Sequence, residues 1–181
     1  MAFDIIVFGI NHKSASVDLR GRVAFAPETV VETLRSAQAS LDSSEIALLS
    51  TCNRTEIYAA GELSDKQLLA WLAATKGLDV TEIESCYYCL RGDEAIRHMI
   101  RVASGLDSLV MGEPQIFGQI KSAYSVAQKA ETVSVHLNAA FQWAFAVAKR
   151  VRSETAIGKN PVSVAYASVS LAEQIFSDLK T

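Results

Sequence analysis

The strongest constraint on the fold is a change of hydrophobic period at Asp93. Before it, short β-branched apolar runs alternate with stretches of helical spacing; after it, every apolar stretch recurs at three and four. Side chains alternate faces every residue in a strand and return to one face every 3.6 residues in a helix, so the two periods separate the elements. Ile5-Ile6-Val7-Phe8-Gly9-Ile10 reads as a strand ended by the turn-prone Asn11, and Pro27 suits a first helical turn ahead of Val30, Val31, Leu34, Ala37 and Leu41. Ile46 to Leu49 and Glu56 to Ala60 read as two short strands separated by the turn that holds Cys52 and Asn53.

Ser64 with Gln67 forms a capping-box pattern before Leu68, Leu69, Trp71 and Leu72, and Gly77 is a stop. Cys86-Tyr87-Tyr88-Cys89-Leu90 has the aromatic content of a fourth strand. The order strand, helix, strand, strand, helix, strand predicts an α+β fold of the ferredoxin-like βαββαβ kind. Beyond it, Asp93 caps a helix with Ala95, Ile96, Met99, Ile100 and Ala103 on one face. Further helices are expected from Gln115 to Lys129, from His136 to Glu154 and, past the break at Gly158-Lys159-Asn160-Pro161, from Val162 to Leu179.

Half of the 181 residues are hydrophobic and a fifth are charged, which excludes general disorder. The formal net charge of −3 gives no overall attraction to a polyanion, so a nucleic acid would have to meet a local basic patch. Three cysteines without a basic-then-apolar leader point to a reducing, cytoplasmic setting. No apolar run approaches the roughly 18 residues of a membrane span, so no membrane partner is expected.

Cys52 is the candidate nucleophile. It follows the apolar run Ile46–Leu49 in the polar stretch Ser50-Thr51-Cys52-Asn53-Arg54-Thr55-Glu56, and a neighbouring cation such as Arg54 favours the thiolate. The alternative is a cysteine that merely ends a strand. His98 is the candidate acid, base or proton shuttle, or equally a core residue beside Met99 and Ile100. Cys86 and Cys89 have Cys-x-x-Cys spacing, but three residues along a strand place them on opposite faces, and no second pair completes a metal shell. No metal is expected.

Gln115 and Gln119 lie one helical turn apart after Gly112-Glu113-Pro114, close in sequence to Asp107-Ser108, and could bind a small polar ligand or simply solvate a helix start. Lys149, Arg150 and Arg152 sit where cations meet a helix C-terminus favourably, with Lys159 just beyond. The sequence contains no Gly-x-Gly-x-x-Gly or Walker-type run.

Several blocks resemble the glutamyl-tRNA reductase family: Gly9-Ile10-Asn11-His12-Lys13, Ser50 to Tyr58, Arg101 to Ser108, Gly112 to Gln119, and Val147 to Thr155. The resemblance implies that the Cys52 thiolate attacks the aminoacyl ester of glutamyl-tRNA(Glu). The resulting thioester is then reduced by NADPH to glutamate-1-semialdehyde, the first step of five-carbon tetrapyrrole (porphyrin) biosynthesis. It makes His98 the activity-linked histidine and assigns glutamate recognition to Thr51, Asn53, Arg54, Ser108, Glu113, Pro114, Gln115 and Gln119. Arg54 would offer its planar fork to a substrate carboxylate. Many members carry a histidine at the place of Leu90, which argues against a role for that position here.

Family members continue into an NADPH-binding Rossmann domain and a dimerisation domain. The chain is therefore expected to be a fragment: a catalytic domain over residues 1–158, with a sheet part to about 91 and a helical part over about 92–158, then the start of a spinal helix over 159–181. On this reading the fragment binds no NADPH of its own and is monomeric, although its parent is a homodimer. Its partners are glutamyl-tRNA(Glu) and, as a candidate, glutamate-1-semialdehyde aminomutase. Two competing readings are a non-catalytic binding or regulatory module and a cysteine esterase unrelated to tRNA.

Overall fold

The computed structural model describes residues 5–43 and 45–158. Four strands, β1 (Ile5–Asn11), β2 (Glu45–Ser50), β3 (Arg54–Ala60) and β4 (Tyr88–Arg91), form one antiparallel sheet in the order β2-β3-β1-β4. Helices α1 (Val17–Val23) and α2 (Val30–Ser40) lie between β1 and β2, and α3 (Asp65–Lys76) and α4 (Val80–Ile83) between β3 and β4. The helical part follows as α5 (Gly92–Ser104), α6 (Gln115–Lys129) and α7 (Val135–Glu154). The α+β architecture is the expected one, and no helix among the described residues is long and apolar enough to cross a membrane.

β1 and β3 are buried along their whole length because helices cover both faces of the sheet. On one face Tyr58 meets Phe141 of α7 edge-on. On the other, Phe25 stacks on Trp71 of α3, and Thr55 donates to the Val23 carbonyl at the end of α1. The Ser64–Gln67 capping box and the left-handed stop at Gly77 form as the sequence predicts.

Four local expectations need correction. Helix α1 was not anticipated: only Val23 is buried, so it carries no apolar stripe, and its signals are the Ser16 cap and Asp18 in the first turn. Pro27 opens a separate 3₁₀ turn, Pro27–Thr29, ahead of α2. Strand β4 begins at Tyr88 and not at Cys86, because an Asp79–Glu82 capping box starts the one-turn helix α4 and Cys86 N–H bonds back to the Ile83 carbonyl. Arg91, not Asp93, occupies the cap of α5, and Asp93 falls in its first turn, where its charge opposes the helix dipole's positive end. The helix predicted over Val162–Leu179 and the spinal segment 159–181 lie outside the described residues.

Helix α7 is capped from a distance. Its own cap residue, Ser134, makes no side-chain cap bond. Instead the buried carboxylate of Glu45, at the start of β2, accepts from the N–H groups of Ser134, His136 and Leu137, each at 2.8 Å. One strand residue thus satisfies three donors that a helix start leaves unpaired, and locks α7 to the sheet.

Candidate active site

Cys52 is exposed in the turn between β2 and β3. The turn is held at every residue. Thr51 N–H donates to the Arg54 carbonyl at 2.8 Å, and the Thr51 hydroxyl accepts from Asn53 N–H and Arg54 N–H. His12 N–H donates to the Asn53 carbonyl at 2.9 Å, and Arg20 Nε donates to the Cys52 carbonyl at 3.2 Å. A threonine at the turn's first position does locally what a cap does for a helix, which is why the thiol's backbone is fixed although its side chain meets solvent.

A small pocket of about 30 Å³ opens beside the thiol, lined by Thr51, Cys52, Asn53, Arg54, Ser108, Glu113, Gln115, Ile116 and Gln119. These come from the β2–β3 turn, the loop after α5 and the first turns of α6, and all but Ile116 belong to the set singled out from sequence. The Ser108 hydroxyl is buried with no hydrogen-bond partner among the described residues, which suits an acceptor or donor on a bound molecule. Pro114 does not line the pocket; it is exposed at the cap of α6, the helix that presents Gln115 and Gln119.

Arg54 departs from expectation. It is 1% exposed, its Nη1 donates to Glu56 Oε1 at 2.7 Å, and its Nη2 donates to both the carbonyl and Oδ2 of Asp107 at 2.5 and 3.0 Å. Three of the five guanidinium donors are therefore committed internally, and its charge is matched by two carboxylates. It walls the pocket without offering an open fork or an unopposed cation. Asp107 is in turn held by Lys13 Nζ at 2.5 Å. Burial alone would raise the Asp107 pKa, and the Lys13 hydrogen bond with the Arg54 charge overcomes it, leaving it lowered.

Beneath Arg54 lies Glu56, fully buried, which accepts from Arg54, from the hydroxyls of Tyr58 and Tyr88, and from His98 Nε2 at 2.8 Å. Burial penalises this carboxylate, but the His98 hydrogen bond and the Arg54 charge outweigh it and hold its pKa well below the usual carboxylate range. Gly9 is the β1 partner of Glu56, and a Cβ there would sit 2.8 Å from both Glu56 Cγ and the Tyr88 hydroxyl. Only glycine leaves room for this carboxylate in the sheet.

His98, the candidate acid, base or shuttle that could equally be a core residue, belongs to that buried cluster and does not line the thiol's pocket. Its connection to the pocket runs through Glu56 and Arg54. Glu56, Tyr58, Tyr88 and Lys13 were missed as site residues; the readable signal was the alternation Arg54, Glu56, Tyr58, which puts three polar groups on one face of a strand. Two of the basic residues at the end of α7 make structural contacts: Arg150 pairs with Glu154, and Arg152 donates to the Gly112 carbonyl. No group of three or more metal-ligating side chains occurs among the described residues.

Comparison with known proteins decides the family. The profile of the glutamyl-tRNA(Glu) reductase N-terminal domain matches residues 8–155. The chain belongs to the glutamyl-tRNA reductase N-terminal domain family. It is 58% identical over 176 residues to the glutamyl-tRNA reductase of Saccharophagus degradans, covering 97% of this chain and 41% of that protein. It is 57% identical to that of Pseudomonas savastanoi pv. phaseolicola, covering 99% and 42%. The solved glutamyl-tRNA reductase from Methanopyrus kandleri superposes with a TM-score of 0.75 at 36% identity, covering 96% of this chain and 40% of that one. The chain thus spans about two fifths of the length of the reductases it matches.

Proposed function

We propose that this domain performs the acyl-transfer step of a glutamyl-tRNA reductase. The observation that carries the reading is the convergence of Cys52 with Ser108, Glu113, Gln115 and Gln119 around one pocket, in a chain of this family. The Cys52 thiolate attacks the carbonyl carbon of the glutamyl ester, an activated acyl donor. The bond to the ribose oxygen breaks, that oxygen takes a proton, and tRNA leaves with a free hydroxyl while glutamate stays as a thioester on Sγ.

The uncommitted polar groups distribute themselves by chemistry. Glu113 suits the substrate's α-ammonium, while Ser108, Asn53, Gln115 and Gln119 supply hydrogen bonds to its carboxylate. The Arg54 donors left over by Glu56 and Asp107 complete the wall. His98 is a positioning residue on this reading, acting through Glu56 and Arg54. Family membership disfavours an unrelated cysteine esterase, and the ordered pocket disfavours a module without chemistry.

NADPH belongs to the reading of the complete enzyme. The residues here do not fit it: the turn after β1 is Asn11-His12-Lys13-Ser14, with no glycine-rich cradle for a pyrophosphate. No reduction step is therefore assigned to this chain. The strand order and antiparallel pairing support a ferredoxin-like name for the sheet. We further propose residues 1–158 as the catalytic unit, a homodimeric parent, an aminomutase that consumes the semialdehyde, and a cytoplasmic setting consistent with three unpaired cysteines.

Mixing the chain with glutamyl-tRNA and measuring intact mass tests the reading. A glutamyl adduct on Cys52 is expected, absent from Cys52→Ser. An adduct that survives that substitution at the same site would refute it.

A further inference from the structure

Three segments meet at Asp107. It lies in the loop after α5, whose neck is closed by Gly112 N–H donating to the Gly105 carbonyl at 2.8 Å. A Cβ on Gly105, at φ +79°, would sit 3.2 Å from Gly112 Cα, so glycine lets the two sides of the neck touch. Between these glycines Asp107 and Ser108 are the polar residues, and the Ser108 hydroxyl has no partner among the described residues. Asp107 is therefore the polar side chain that anchors the loop. Its carbonyl and Oδ2 accept from Arg54 of the thiol's turn, and its Oδ1 accepts from Lys13 of the turn after β1.

The Lys13 contact is of an unusual kind, because the lysine side chain is 58% exposed and the Asp107 side chain only 7%. An ion pair between two exposed side chains contributes little. This one reaches from solvent to a carboxylate that packing has almost removed from water, and losing its cation would leave that charge to Arg54, which also faces Glu56. Lys13 and Arg54 against Asp107 and Glu56 make two cations to two carboxylates. Without Lys13 the cluster carries surplus negative charge beside the thiol's pocket. Turning Asp107 towards water relieves it and carries Ser108, the next residue, away from the pocket. The turn that bears Lys13 is itself tied to the thiol's turn by His12 N–H on the Asn53 carbonyl.

We propose that Lys13 is a positioning residue for acyl transfer: through Asp107 it holds the Ser108 wall of the pocket against the thiol's turn and cancels the wall's negative charge towards an incoming carboxylate. The inference rests on the acyl-transfer reading above. Lys13 does this without touching substrate or sulfur, which separates it from a phosphate contact on the tRNA and from a cation that activates the thiol.

The experiment measures Cys52 acylation by glutamyl-tRNA and by the ethyl thioester of glutamate, a donor without phosphates from which the thiolate displaces ethanethiolate. It compares the wild-type chain with Lys13→Met, Lys13→Arg and the double variant Lys13→Met/Asp107→Asn, with circular dichroism to confirm folding. Lys13→Met should raise KM about tenfold for both donors and leave the maximal rate within about twofold, the mark of lost positioning in the bound complex and not of lost chemistry. Lys13→Arg should stay within about threefold of wild type, and the double variant, which removes the surplus charge, should lower KM about threefold from that of Lys13→Met. Alkylation of Cys52 by iodoacetamide should keep its wild-type rate throughout. If wild-type Cys52 takes glutamate from neither donor, the acyl-transfer reading fails and this assignment with it. If the donors work but Lys13→Met leaves the thioester KM within about twofold, the assignment alone fails, and a rise confined to glutamyl-tRNA would make Lys13 a contact for the nucleic acid instead. Slower alkylation in Lys13→Met would overturn it as well, by showing that the lysine acts on the thiol.

Discussion

Gly9→Ala is expected to destabilise the domain although every intrinsic preference favours the alanine. Restricting the unfolded chain should stabilise by about 0.4–1 kcal/mol, and Gly9 lies in extended backbone that alanine adopts freely. Against this, the new methyl would meet Glu56 Cγ at 2.8 Å and the Tyr88 hydroxyl and Cζ at 2.8 and 2.9 Å. Neither neighbour can retreat: Glu56 is fully buried and holds four donors, and Tyr88 is one of them. Overpacking costs about 1–3 kcal/mol. Loss of a hydrogen bond to a buried carboxylate adds about 1.5–3 kcal/mol. The balance is a loss of about 2–5 kcal/mol, or a urea midpoint lower by about 1–2 M at a slope of 2–3 kcal/mol/M. Tyr88→Phe removes the hydroxyl from the clash, so a double-mutant cycle should return a coupling of about 1–2 kcal/mol between the two positions. A midpoint equal to or above wild type, or strictly additive effects, would refute the reasoning.

Other positions give distinct signatures. Glu56→Gln should cost about 3 kcal/mol at neutral pH, because Arg54 and His98 lose the charge they face. It should also flatten acid unfolding. Glu56 titrates lower in the fold than the roughly 4.3 of an unfolded glutamate, so the unfolded state binds more protons and wild-type stability falls as pH drops below about 5. Urea midpoints from about pH 7 down to pH 3.5 check both, and an unchanged slope in the variant would count against the cluster. Gly118→Ala should stabilise by about 0.5–1 kcal/mol in the same assay, since that glycine sits in a helix with open space at Cβ. Glu45→Gln should cost about 1–3 kcal/mol by weakening the cap on α7, and hydrogen exchange should show its first turn fraying.

How far the sequence could be read depended on the reach of each interaction. The Ser64–Gln67 box, Gly77, and the turn between Ile46–Leu49 and Glu56–Ala60 are local and were legible. The thiol's pocket was legible residue by residue because Cys52, Ser108, Glu113, Gln115 and Gln119 lie in recognisable blocks, although three elements bring them together. Arg54 was misjudged for a specific reason. Starting the third strand at Glu56 left Arg54 in the turn, free to face substrate, whereas the strand begins at Arg54 and its side chain shares a buried face with Glu56 and Tyr58. The partners Lys13 and Asp107, 94 residues apart, and the Glu45 cap on a helix 89 residues away, depend on tertiary packing that no local pattern encodes.

The position of His98 leads to a last prediction. A cysteine that relied on a histidine base would keep the imidazole within reach of sulfur, as nucleophile–base pairs do. Here His98 Nε2 is held by Glu56, and the thiol's turn is fixed instead by main-chain N–H bonds from His12 and Thr51 and by the Arg20 side chain on the Cys52 carbonyl. Reactivity then comes from a backbone pre-organised at the end of the most buried strands. His98→Asn should accordingly leave the pH midpoint of Cys52 alkylation by iodoacetamide where it is in the wild type, while slowing acylation by glutamyl-tRNA through displacement of Glu56 and Arg54. A histidine coupled directly to the thiol would move that midpoint by about a unit or more when removed. Such a shift would mean that His98 leaves Glu56 and reaches the sulfur during the reaction.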